Sequence, residues 1–475
     1  MSALTLKSML PELRVTLVHD SNLPPIGVGE STTALLPRFL HDGLGLDRRQ
    51  FQAAVRPSWK LGLRFDWGLP DGSHFYYPFD WPVDGRAGTL GKENAYFYFA
   101  DRRVTTHYTE MMERGRAPFL MQSDGALSTD NHFGYHIENH AFIQFLHSQT
   151  AGRGIESVDS QVVKVDVDAT GAISQLCMRD GSVVVGDLYV DCSGFASRLL
   201  GETLREPFLP YNKSLFCDTA VTGSWKRNQG VLPYTTCQTM NHGWCWQIDL
   251  PDRVHRGYVF SSQFCDVEEA TREMKARNPL MGDDIHTVRF RAGRYARFWV
   301  KNVAAIGNAG GFVEPLEATG LHMIAVVART LAQAIVDNDQ CVTPSMQQAV
   351  NRYVGQMWDD IRDCLAIHFA FNRRIETPFW RHCRANTDLG RAAELVDFYR
   401  ANGPSSMAGE LIPRNSIFRW TGYLALLIGQ QVESDYTFRP DESETYQWRQ
   451  VCEQMRQTAQ LALPMDEALM RIVGE

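Results

Sequence analysis

Two hydrophobic periods alternate along this chain. Residues 4–10 carry leucine at helical spacing, then Pro11, then the strand-like run Val15-Thr16-Leu17-Val18. A helix feeding a strand from the first residue reads as the second half of a βαβ unit, whose first strand and glycine turn would lie upstream of Met1. Residues 182–185 and 187–190 read as short strands flanking Gly186, and residues 303–306 as a buried strand running into Gly307-Asn308-Ala309-Gly310-Gly311. Between them, alternating runs such as residues 257–262 predict an antiparallel sheet. From Gly320 the period becomes helical, with Leu321, Ile324, Ala325, Ala328, Leu331, Ala332 and Ile335 on one stripe. The rest is mostly helical, broken at Pro378, Pro404, Pro413 and Pro464.

The order is therefore α/β, mixed β, α/β again, then a helical tail. It predicts a Rossmann-like nucleotide-binding sheet split into residues 1–60, 140–200 and 295–340, and a β-rich substrate side at 61–139 and 201–294. Residues 341–475 form the helical C-terminal part. At 475 residues the chain exceeds one ordinary domain, which agrees.

Composition removes several function classes. A formal net charge of −8, with no Lys/Arg-rich run, argues against a nucleic-acid partner. The ten cysteines are scattered, form no Cys-x-x-Cys and give no zinc spacing, so no metal site is expected. Unpaired thiols without a secretory signal predict a cytoplasmic protein. The longest apolar run, residues 323–336, is broken by Arg329 and Gln333, so no membrane span is expected.

Five motifs remain. In Ile26-Gly27-Val28-Gly29-Glu30-Ser31-Thr32 the glycines permit close backbone approach to a ligand, and Ser31 or Thr32 can cap a helix at residues 35–40; a plain loop and cap fits equally. Gly307, Asn308 and Gly310 follow a buried strand, where a helix N-terminus would make an anion site and a tight turn is the plainer reading. Glu314 and Glu317 flank Pro315 in an apolar stretch, where burial would be costly unless each acid is paired or functional; the alternative is a carboxylate at a helix N-terminus. Lys60, in Trp59-Lys60-Leu61-Gly62, shares a strand face with Ser58 and Gly62, the pattern of a solvated lysine. Trp244 and Trp246 share the opposite kind of face, an aromatic wall.

Taken together, Gly-Val-Gly-Glu-Ser-Thr at 27–32, Trp59-Lys60-Leu61-Gly62, Asp191-Cys192-Ser193-Gly194-Phe195, Trp244-x-Trp246-x-Ile248 and residues 312–320 resemble, in order and spacing, the flavin-dependent tryptophan-halogenase family. The match runs to about residue 385. The resemblance implies a fold like that of flavin monooxygenases, with FAD delivered reduced as FADH2 by a separate flavin reductase. O2 and chloride or bromide then give hypohalous acid, which Lys60 presents to an electron-rich small aromatic, carrier-bound or peptide substrate. Glu317 matches the glutamate beside that lysine, and Thr319 and Gly320 match the halide-holding residues. Leu316 and Leu321 match flanking flavin contacts, and Val162 an adenine-side contact. Gly27, Gly29, Glu30, Ser31, Gly307, Asn308 and Gly310 complete the implied cofactor site, and a homodimer is compatible with it.

Four positions depart from the pattern. The Gly-x-Gly-x-x-Gly turn is missing, His19 stands where a ribose-binding acid is usual, Asp249 replaces the signature proline, and Ala318 replaces a serine. These keep two alternatives open: a hydroxylating flavin monooxygenase, and a flavoprotein-like scaffold without FAD.

Overall fold

The computed structural model describes residues 1–23, 29–80, 92, 95–100, 103–122 and 124–473. The N-terminal helix Ser2–Met9 buries Leu4 and Leu6 and leads into the strand Thr16–His19, which runs parallel to Glu156–Asp159. A second parallel pair, Tyr189–Asp191 with Val303–Ala305, carries the other half of the α/β layer. Parallel strands need both faces covered, and the burial of Val303, Ala304 and Ala305 at 0–1% exposure shows that they are.

The dominant sheet has seven strands, in the order His286–Arg289, Thr219–Lys226, Arg253–Phe260, Gly243–Asp249, Tyr234–Met240, Gly62–Asp66 and Phe75–Pro78. All neighbours are antiparallel except Tyr234–Met240, which runs parallel to Gly62–Asp66. The alternation seen in residues 257–262 thus belongs to a central strand. Gly257 is required there, because a Cβ would lie 2.3 Å from the Trp246 ring. A small antiparallel sheet with Gly134–Glu138 at its centre, between Gly29–Ser31 and Ser58–Lys60, sits against the large one.

Helix Gly320–Asp337 is long and apolar enough, by length and composition, to cross a membrane. In the fold, Met323, Ala325, Ala328, Leu331 and Ala332 are fully buried in the core, and the N-terminal helix packs against it. The 28-residue helix Pro344–Phe371 lies beside it, with Thr343 capping its first turn and Pro344 at the position where a missing N–H is harmless. The tail is not wholly helical: Ala462–Pro464 returns as an edge strand against Arg116–Met121, and Met465 and Leu469 bury behind it.

Candidate active site

Lys60 ends the strand Ser58–Lys60, and its side chain is 0% exposed. The period-two reading placed it correctly on one face with Ser58, but that face is interior rather than solvated. It looks across the small sheet to Ser31 and His136 and toward Thr235 of the large one. Nζ donates to Ser31 Oγ at 2.8 Å and lies 5.0 Å from the centre of the Phe79 ring. Burial pushes the Lys60 ammonium down to about 7, opposed by the neighbouring Cys237 and Glu317.

Glu317 ends a tight turn, Pro315–Glu317, that the following residue closes in the left-handed region (Ala318, φ 56°). Its carboxylate is 3% exposed and accepts from His368 Nε2 at 2.8 Å. His368 lies on the helix Pro344–Phe371, itself fully buried against the Phe65 and Trp67 rings, and its Nδ1 has no hydrogen-bond partner among the described residues. An ammonium and a carboxylate within electrostatic reach of one another, both out of water, are costly unless they serve a purpose. His368, His136 and Thr235 were missed in the sequence because each reaches the site from an element remote in the chain.

The first acid of the pair has a different environment. Glu314 is fully buried, accepts from Trp244 Nε1 at 2.5 Å, and is driven up to about 8 by burial. It pins the indole of the aromatic wall, while Trp246 packs in the same core.

Other sequence-predicted residues divide between two places. Ser31 joins Lys60, and Leu316 sits above Cys237, whose thiol donates to the Leu316 carbonyl at 3.8 Å. The expected helix cap by Ser31 or Thr32 does not form: the helix Leu35–Arg38 has Ala34 at its N-cap with no side-chain bond. Ser31 is instead taken by Lys60 and Thr235, and Thr32 Oγ1 accepts from the Tyr135 N–H at 2.7 Å. Gly29 admits the side chains of Ile248 and His255, which a Cβ would meet at 3.2–3.3 Å. Glu30 is half-buried on the alternate face, and its carboxyl rises to about 7 through desolvation. Gly27 lies outside the described residues.

The turn after Val303–Ala305 also differs from expectation. Gly307–Ala309 is a single tight turn with Gly307 at φ 68°, followed by the strand Gly311–Phe312, so the buried strand does not run straight into a helix; the helix whose Ile324 packs on Gly307 comes later in the chain. The helix begins only at Gly320, after Thr319, which is 1% exposed and makes no side-chain cap. Gly310 is held close to the Ala305 carbonyl, 3.0 Å from where a Cβ would be. Phe195, from the turn after Tyr189–Asp191, and Asn308, from the turn after Val303–Ala305, line a cleft of about 210 Å³ with Phe312, Tyr295, Arg289 and Arg291. It opens at the carboxyl ends of the two parallel strands, where α/β sheets bind nucleotides. Small turns, several aromatic rings and two guanidinium groups suit part of a nucleotide. Val162 packs on the Tyr189–Val303 cluster, and its carbonyl accepts from Arg198 Nη1 at 2.7 Å. Leu321 is half-buried against the core that holds Ala325 and Tyr234.

One further group of ligand-type atoms, on His242, Cys265 and Glu269, falls within 4.8 Å of one another. Burial and the adjacent acids push the Cys265 thiol up to about 12, which disfavours the thiolate a metal would need.

The fold is shared with solved proteins. A crystal structure of MibH, a lanthipeptide tryptophan 5-halogenase, superposes with a TM-score of 0.89 over 100% of this chain and 91% of that one, at 36% identity. Xcc4156, a flavin-dependent halogenase from Xanthomonas campestris, superposes with a TM-score of 0.88 over 99% of this chain and 95% of that one, at 26% identity. Fold and site together define an oxidoreductase of the flavin-dependent halogenase class. The model of the tryptophan halogenase family matches residues 1–440, and the chain belongs to that family. Among curated relatives, the tryptophan 7-halogenase RebH of Lentzea aerocolonigenes is 31% identical over 84% of this chain and 79% of its own length. The tryptophan 6-halogenase ThaL of Streptomyces albogriseolus is 30% identical over the same shares.

Proposed function

We propose that this enzyme halogenates an electron-rich aromatic carbon, of an indole in the first instance, using FADH2 from a separate flavin reductase, O2, and chloride or bromide. The observation that carries the reading is that Lys60 and Glu317, both buried, lie within electrostatic reach of one another. The turns at Gly307–Ala309 and Gly194–Ala196, with Phe195, Asn308 and Phe312, would hold the flavin, with Glu30, Leu316 and Leu321 on its flanks and Val162 toward the adenine. When bound, reduced flavin with O2 and halide supplies hypohalous acid. The halide sits at the backbone of Thr319 and Gly320, where the first N–H groups of a helix have no intrahelical partner.

Lys60 Nζ then holds the small oxidant by hydrogen bonding and turns its halogen toward the substrate. The ring carbon bonds the halogen as the halogen–oxygen bond breaks. The displaced hydroxide takes a proton from the Lys60 ammonium and leaves as water, Glu317 takes the proton that the ring carbon gives up, and that proton restores the ammonium for the next turnover. His368 keeps the receiving oxygen in place. Trp244, fixed by Glu314, separates the two compartments so that substrate does not reach the flavin. The ten free cysteines fit a reducing cytoplasm as the place of action.

The test supplies purified enzyme with a flavin reductase, NADH, O2, bromide or chloride and a panel of free and peptide-borne indoles. Halide-dependent mass gain is expected, and Lys60→Ala should abolish it while NADH-driven flavin oxidation continues. An oxygenated product formed without halide would show a hydroxylase instead; no saturable flavin binding would show a scaffold.

A further inference from the structure

Lys60 is the first member of a chain of buried and half-buried hydrogen bonds that the chemistry above does not use. Its Nζ donates to Ser31 Oγ at 2.8 Å, and Ser31 Oγ lies 2.7 Å from Thr235 Oγ1. Thr235 Oγ1 lies 2.8 Å from His136 Nε2, and His136 Nδ1 lies 3.4 Å from Ser58 Oγ. Ser58 Oγ donates to the Asp249 carbonyl at 2.6 Å. Five strands contribute, and the arrangement follows from register: His136 stands directly across from Ser31 on one side and Ser58 on the other.

The two ends fix the direction of every bond. An amine that donates to Ser31 makes its oxygen an acceptor, so the single Ser31 proton goes to Thr235, and the Thr235 proton goes to a lone pair on Nε2. The imidazole is then neutral with its proton on Nδ1, facing Ser58, whose own proton ends on a carbonyl. Burial and the nearby Lys60 charge drive His136 down to about 3, which keeps it in that neutral form. A backbone carbonyl accepts a proton-donating group but passes nothing on, so the chain orients and does not conduct.

We propose that Thr235 and His136 are positioning residues for Lys60: they lock the Ser31 hydroxyl as an acceptor and so hold the lysine as a donor aimed into the chamber. This rests on Lys60 being the relay of the halogenation reaction. The other groups facing the ammonium are Cys237 from the strand Tyr234–Met240, Glu317 from the turn Pro315–Glu317, His136 itself, and the Phe79 ring.

Thr235→Val frees the Ser31 proton, which can then be donated to a neutral amine; the neutral form gains and the Lys60 pKa falls. The chain has only eight lysines, so carbon-13 lysine labelling resolves Lys60 by NMR, with Lys60→Ala assigning its signal. The Lys60 titration should move down by about one unit in Thr235→Val, a ten-fold change in protonation, and return in Thr235→Ser. The pH profile of product formation should move the same way. Thr235→Ala serves as the second variant if Thr235→Val does not fold. A Lys60 titration within about 0.3 unit of the parent in a folded variant lacking the hydroxyl overturns the proposal. Retention of halogenation in Lys60→Ala, with the Thr235→Val shift still present, would overturn the relay role and leave the hydrogen-bond chain standing.

Discussion

His368 Nε2 meets Glu317 Oε1 at 2.8 Å, and neither side chain has measurable access to water beyond 3%. The long helix Pro344–Phe371 thereby sets the direction of a carboxylate whose own backbone is a tight turn of three residues. Two adjoining rings, Phe65 and Trp67, pack against the imidazole.

If Glu317 receives the ring proton, Glu317→Gln keeps the shape and removes the base. Product formation should fall by about 10²–10⁴-fold with flavin oxidation unchanged. His368→Gln should cost less, about 10–100-fold, because the base remains and only its aim is loosened. Steady-state product yield per flavin oxidised separates these outcomes; equal losses in flavin oxidation and product would contradict them.

Lys60 should weaken the fold it serves. Its folded-state pKa of about 7 lies below the unfolded value near 10.5, so between those values the unfolded chain binds more protons and stability rises with pH. Below pH 7 the penalty for burying the charge is fully present. Lys60→Met should therefore stabilise the protein at pH 6, by on the order of 2–4 kcal/mol, with the gain shrinking toward pH 10. Denaturant titrations at the two pH values measure it, and a variant less stable than the parent at pH 6 speaks against a buried charge.

Glu314 runs the opposite way. Its carboxyl, raised to about 8 from an ordinary value near 4.5, gives stability that is complete below pH 4.5 and is lost as pH rises through 8. Glu314→Gln should flatten that part of the stability profile. Thermal unfolding at pH 5, 7 and 9 reports it, and an unchanged slope would mean that another group sets the trend.

Gly62 has no room for a side chain. A Cβ there would lie 2.3 Å from the Tyr77 carbonyl and 2.9 Å from Pro78 Cα, both backbone atoms of the adjoining strand. Gly62→Ala should destabilise by at least about 2 kcal/mol and, two residues from Lys60, should also lower activity in the fraction that folds. Gly45, in open space at φ 63°, makes the comparison, since Gly45→Ala should cost only about 1 kcal/mol.

What the sequence revealed follows from the range of each interaction. Periodicity located the helix Gly320–Asp337 and the strands at Arg253–Phe260 and Val303–Ala305, because side-chain alternation is local. It put Lys60 and Ser58 on one face and misjudged that face as solvated, since burial there comes from the opposing strand Gly134–Glu138 and from Thr235 of Tyr234–Met240. Ser31 looked like a helix cap because local rules reward that role, but a buried ammonium competed for its oxygen and won. His368 gave no signal at all: a lone histidine on an apolar helix carries meaning only once Glu317 is opposite it.

The seven-stranded sheet unites parts that the chain keeps far apart. The strand Tyr234–Met240 carries Thr235, which reaches Lys60 through Ser31, and its neighbour Gly243–Asp249 carries Trp244, so the proposed partition and the residue proposed to position the lysine stand on one frame. Changes that adapt the enzyme to new aromatic partners therefore have to fall on the helices and connections around that frame. If Trp244 parts the compartments and Thr235 positions Lys60 as proposed, a mutation within the frame disturbs both together.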